Sequence, residues 1–164
     1  MKKWSILIFA LFVGCTSSES IETKTYLLPR VESDHMLEFD RVSVKMPSYL
    51  EGPGIVYRLS ETEVEVASHN VWAENVRNML INQLQQYRMP DVNGPPNLSV
   101  HFERFNGSYT GNAELKGDWK LGVHSGDFDI KQPLDDEGYD ALVQALNQGL
   151  DSLMQDIYSK VKTP

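Results

Sequence analysis

Two apolar periods follow one another in the second half of this chain, and together they restrict the fold more than any other feature. Leu98, Val100 and Phe102 alternate with polar residues, as do Ala113, Leu115, Gly117, Trp119 and Leu121, and then Phe128 and Ile130. A period of two is that of a half-buried strand, and an antiparallel meander is the simplest assignment for three such runs in succession. The spacing then changes: Tyr139, Leu142, Leu146, Leu150, Leu153 and Ile157 form one stripe at helical intervals, with Asp135 or Asp136 expected to open the helix. A sheet with one apolar face and a helix with one apolar stripe each need a cover, and packing one on the other satisfies both.

The first half repeats this arrangement in shorter form. "YLLP" reads as a short strand, Val42 to Met46 alternate, and "IVYRLS" with "EVEVAS" reads as a hairpin. Pro47, Gly52, Pro53 and Gly54 break the chain around "SYLEGPG". Asn70 is the expected cap of a helix in which Trp72, Val76, Met79, Leu80 and Leu84 share one face, Trp72 pointing inward. The expected fold class is α/β in the two-layer α+β sense: an antiparallel-rich sheet carrying two amphipathic helices.

The only cysteine of the 164 residues, Cys15, stands where an apolar run ends. Lys2 and Lys3 precede ten residues, Trp4 to Val13, in which Ser5 alone is polar, the n-region and h-region of a secretory signal. At roughly 20 residues for a membrane span, the run is too short to be a lasting anchor. A single thiol in an exported chain closes no internal disulfide, so its position needs another reason. "FVGC" resembles a bacterial lipobox, in which the cysteine is lipidated on sulfur, becomes the mature N-terminus and is acylated on its amine. Several acyl chains hold a protein firmly where one binds marginally. Thr16, rather than Asp, follows the cysteine, which on the same resemblance implies the periplasmic face of the outer membrane. The expected organisation is therefore a signal peptide over 1–14, a lipidated tether over 15–25 and one domain over 26–164. The tether, rich in Ser, Thr and Glu, would reach up to roughly 35 Å.

The mature chain carries 13 basic and 23 acidic residues, a net charge of -10. Such a surface repels phosphate backbones, which argues against nucleic-acid binding through a basic patch. Catalytic patterns are weak. "GSYTG" at Gly107 to Gly111 places Ser108 second rather than third for a nucleophile elbow. His101 and Glu103 share a strand face, as do Asp127 and Asp129, but no third ligand stands at a recognised metal spacing, and a solvated face is the better reading. His35, His69 and His124 are isolated, and no glycine-rich phosphate loop occurs. No catalytic, metal or cofactor site is expected.

Val42 to Leu84 carries a more specific signal. Pro47, Tyr49, Leu50, Pro53, Ile55, Val56, Tyr57 and Arg58, followed by Trp72, Ala73 and Glu74, resemble the ABC-type transport auxiliary lipoproteins of the PqiC (YmbA) family. Met46, Glu51, Gly52, Gly54 and Asn75 depart from that family's pattern, while "YLLP" and "GYDALVQALNQGLDSLMQDI" fit it. The resemblance implies a fold like the N-terminal domain of TolB and a nonenzymatic outer-membrane subunit of a lipid-transport system. Its implied partner is a membrane-anchored protein of the mammalian-cell-entry (MCE) type, and a homo-oligomer is compatible with it. Tyr49 and Leu50 have two readings, a structural turn with both side chains in the core or part of a partner contact, since aromatic residues are enriched in interface cores. Two other functional classes remain open: a carrier holding an acyl chain in its own cavity, and a periplasmic hydrolase.

Overall fold

The computed structural model describes residues 21–30, 39–87 and 96–162. The signal segment, Cys15 and His35 lie outside them. Among the described residues, seven strands join into one mixed sheet and two helices cover it. The strands are β1 (Lys24–Tyr26), β2 (Arg41–Lys45), β3 (Gly54–Arg58), β4 (Val64–Trp72), β5 (Asn97–Ser108), β6 (Asn112–Leu121) and β7 (His124–Pro133). The helices are α1 (Val76–Leu84) and α2 (Tyr139–Lys162), and a single 3-10 turn, Ser48–Leu50, links β2 to β3.

The expected meander is present, with β5, β6 and β7 pairing antiparallel, and so is the β3 to β4 hairpin. What joins the two halves is parallel pairing. The order is β1-β4-β3-β5-β6-β7, and β2 also pairs with β5. β5 is long enough for both: its first residues, Asn97 to His101, receive β2, and Gly107 and Ser108 receive β3. The 3-10 turn crosses between the two strands on this edge.

A register shift lies between Phe102 and Arg104. An extra residue reverses the alternation, so Phe102 and Phe105, three positions apart, both enter the core, with ring centroids 5.6 Å apart. Gly117, opposite Phe102, is required here: a Cβ on it would lie 1.8 Å from the His101 carbonyl oxygen.

Both helices lie on the same face. α2 buries the expected stripe from Leu142 to Ile157, and Leu146, Leu150 and Leu153 are fully buried. Burial of side chains of this size contributes about 1.5 to 3 kcal/mol each. Gly149 lets α2 approach β6 closely, since a Cβ there would meet a Leu115 methyl at 2.4 Å. α1 packs beside α2 through Gln83, whose side-chain amide donates to Asn147 Oδ1 and to the Pro29 carbonyl, both at 2.7 Å. The resulting core is one continuous cluster from Tyr26 to Ile157.

Three element boundaries differ from expectation. Trp72 does not lie on α1 but ends β4, where its N–H donates to Pro53 O at 2.7 Å and the next N–H, of Ala73, donates to Tyr26 O at 2.9 Å. Strand pairing captures this residue despite its helical spacing from Val76, and the cap is Asn75, whose side chain accepts from Asn78 N–H at 3.2 Å, rather than Asn70. α2 starts at Tyr139, after the positive-φ Gly138, rather than at Asp135 or Asp136. β1 begins at Lys24, so the last two residues assigned to the tether are strand, and the expected strand at "YLLP" ends at Tyr26. No helix among the described residues is long and apolar enough to cross a membrane.

Candidate functional site

Because both helices occupy one side, the opposite side of the sheet is open among the described residues, and its residues are those that alternate away from the core. His101 Nδ1 lies 2.8 Å from Asp118 Oδ2, and Lys116 Nζ lies 3.3 Å from Glu103 Oε2. Both pairs are largely exposed, and such pairs contribute little to stability. Asp127 and Asp129 lie across from Asp118 and Lys116 in the register. These four predicted pair members therefore form a solvated, charge-patterned face, as the alternation implied. No group of three or more metal-ligating side chains forms among the described residues.

Ser108 does not meet a base. Its hydroxyl is 2.9 Å from that of Thr110, within the β5 to β6 turn. It stands seven positions from His101 on the same strand, which at about 3.3 Å per residue is roughly 23 Å. Ser108 and His101 therefore do not pair as nucleophile and base. An apolar hollow beside Tyr57, Leu134 and Leu142 measures about 170 Å³, below the roughly 300 to 1,000 Å³ of ligand pockets, while an open, half-polar groove lined by Met46, Arg77, His101 and Asp118 measures about 600 Å³.

The 3-10 turn separates the two predicted contact residues. Leu50 is 3 % exposed and belongs to the core, as in the structural-turn reading of this loop: the one-turn helix directs it inward. Tyr49 is 36 % exposed, and its hydroxyl donates to the Glu103 carbonyl at 2.9 Å. That carbonyl belongs to the bulge residue, on the β5 edge between the stretches used by β2 and β3, so Tyr49 takes the place of a missing ladder partner. Burial raises its hydroxyl above the ordinary range, while the nearby Arg104 and Arg58 charges oppose the shift. The group is a neutral donor at physiological pH. Arg77, in the first turn of α1, pairs with Glu51 and ties the same loop to α1.

A second cluster, not evident in the sequence, adjoins Tyr49. Glu114 of β6 is only 4 % exposed. Its Oε2 is 3.2 Å from Arg58 Nε, 3.4 Å from Asn106 Nδ2 and 3.5 Å from Arg104 Nη1. The Arg58 guanidinium also stands 5.5 Å from the Tyr109 ring centroid. Glu114 sits in the alternating run of β6 at a position that reads as solvent-facing. Its burial depends on side chains from β3 and β5, a contact that no local pattern announces.

The geometry defines a small two-layer α/β domain with a charge-patterned open sheet face. The chain belongs to the family described as ABC-type transport auxiliary lipoprotein components, whose model matches residues 31–158. It is 32 % identical, over 96 % of its length and 98 % of theirs, to the intermembrane transport lipoproteins PqiC of Escherichia coli K12 and of Shigella flexneri. Among solved structures, one protein without assigned function superposes with a TM-score of 0.70 at 27 % identity, covering 86 % of this chain and all of its own. A Xanthomonas campestris protein of the DUF330 family gives a TM-score of 0.66 at 17 % identity, covering 82 % and 92 %, and shares the fold.

Proposed function

We propose that this protein is the outer-membrane docking lipoprotein of an intermembrane lipid-transport system, anchored through Cys15 at the periplasmic face and capturing the distal end of an MCE-type conduit. The observation that carries the reading is its end-to-end similarity to the PqiC lipoproteins. One continuous buried core, and the placement of Ser108 and His101 seven positions apart on β5, support binding rather than chemistry. Energy for transport would come from another subunit, and no cofactor enters the reading. Tyr49 is the contact residue to test, since it is half-exposed on a loop braced at both ends.

Affinity copurification of the MCE subunit with detergent-solubilised protein is the direct test. Tyr49→Phe keeps the ring and removes the hydroxyl, whereas Tyr49→Ala removes both. If the ring is an interface anchor, Tyr49→Ala should weaken capture by about 2 kcal/mol or more, the size of an interface hot spot, with Tyr49→Phe largely retained. Alanine at Ser108, His101, Glu103, Asp127 or Asp129 should leave envelope integrity near normal. A folded, lipidated Ser108→Ala or His101→Ala protein that binds its partner but fails to complement a deletion would restore the enzyme reading.

Metal independence is a further expectation, because the acidic residues and histidines form no evident ligand cluster in the sequence. Thermal melting in EDTA should match melting in its absence. A fall of several degrees would reveal a structural metal.

A further inference from the structure

The cluster around Glu114 holds more positive charge than its own chain neutralises. Arg58 of β3, Arg104 of β5 and Lys131 of β7 line one open cleft of about 350 Å³ with Glu114 and Glu61. The cleft thus carries three cations against two carboxylates, in a chain of formal net charge -8. Glu114 is the floor, its side chain 5 % exposed, while the Arg104 side chain is 35 % exposed. All three donors on Glu114 converge on the single oxygen Oε2, at 3.2 to 3.5 Å, longer than the roughly 2.7 to 2.9 Å of strong charge-assisted bonds. Arg58 Nε, though 3.2 Å away, is buried without the alignment of a hydrogen bond. Among the described residues, the terminal nitrogens of Arg58 have no hydrogen-bond partner and Lys131 has no ion pair. The two arginines are partly desolvated, with side chains 11 % and 35 % exposed, and cations held this loosely are stabilised by an anion that completes their hydrogen bonding.

We propose that this cleft binds a phosphate ester. Three cationic side chains from three strands line one cleft, which suits a tetrahedral group with several anionic oxygens better than a planar carboxylate with two. Guanidinium groups donate to phosphate in paired fashion, and an ammonium adds a point charge. Two exposed apolar side chains adjoin the cleft where the ester's organic part would lie. Tyr109 is 51 % exposed beneath the Arg58 guanidinium, and Val64, directly across from Arg58 in the register, is 45 % exposed. The ester is either the headgroup of a phospholipid or a small soluble phosphate.

The test is calorimetric titration of the full-length lipidated protein in a non-ionic detergent with two probes, inorganic phosphate and dihexanoyl-phosphatidylglycerol. Saturable binding that weakens about tenfold or more in Lys131→Gln and in Arg104→Gln, the loss of one hydrogen bond to a charged group, supports the site. Much tighter binding of the phosphatidylglycerol identifies a lipid headgroup, and equal binding a soluble phosphate. Circular dichroism melting checks that each variant is folded. Should Arg104→Gln fail to fold, Lys131→Gln decides alone. The site is refuted if neither probe binds, if binding survives unchanged in the folded variants, or if a hexaglutamate peptide binds there and the phosphate probes do not.

Discussion

Trp72→Ala is expected to lower the stability of the domain by about 3 to 5 kcal/mol, the range for large aromatic truncations in cores. The indole is 6 % exposed at the end of β4, with its ring centroid 6.2 Å from that of Phe105. It stands where β1, the Pro53 loop and the entry to α1 meet, through the hydrogen bonds to Pro53 O and from Ala73 to Tyr26 O. Neighbours fixed by backbone pairing collapse poorly into a cavity, which places the loss toward the upper end of the range. Domains are stable by only about 5 to 15 kcal/mol, so the variant should be marginal at growth temperature. Chemical denaturation of the wild type and the variant measures the difference directly. A change below about 1 kcal/mol would show that the surrounding strands close over the gap.

Cys15→Ser should have the largest effect in the cell. A hydroxyl does not replace the thiol as acyl acceptor, so the variant should remain an unprocessed precursor or leave the membrane fraction. Several acyl chains at about 0.8 kcal/mol per buried methylene make attachment effectively permanent, and no helix among the described residues is apolar and long enough to span a membrane in their place. Metabolic labelling with a fatty acid, followed by outer-membrane fractionation, reads both steps. Normal acylation and outer-membrane recovery of Cys15→Ser would end the lipoprotein assignment. Loss of the anchor with retained folding would separate localisation from the docking proposed for the domain.

The existence and faces of the elements were legible in the sequence wherever an apolar period was long. The α2 stripe and the β5 to β7 meander are repeated signals, and each residue in them reports the same buried side. Trp72 shows where that reasoning fails. Its spacing from Val76 and Met79 is helical, but two backbone hydrogen bonds to distant segments hold it in a strand, and local periodicity contains no record of such partners. The same holds for Phe102 and Phe105, whose joint burial depends on a bulge that the alternation does not encode.

By itself, then, the sequence determined the content of the layers: which residues are apolar, at which period, and therefore that a one-sided sheet must be covered by amphipathic helices. It also carried the lipobox-like Cys15 and the family-like run from Pro47 to Arg58. Only the tertiary structure decided that β5 takes both β2 and β3 on one edge, that Leu50 is core while Tyr49 caps the bulge carbonyl, and that Arg58, Arg104 and Glu114 meet. Burial and periodicity are properties of a segment and its solvent, whereas strand order, edge capping and charge clusters are set by which distant segments become neighbours. That choice rests on the summed packing of the whole sheet, to which any one stretch contributes only a part.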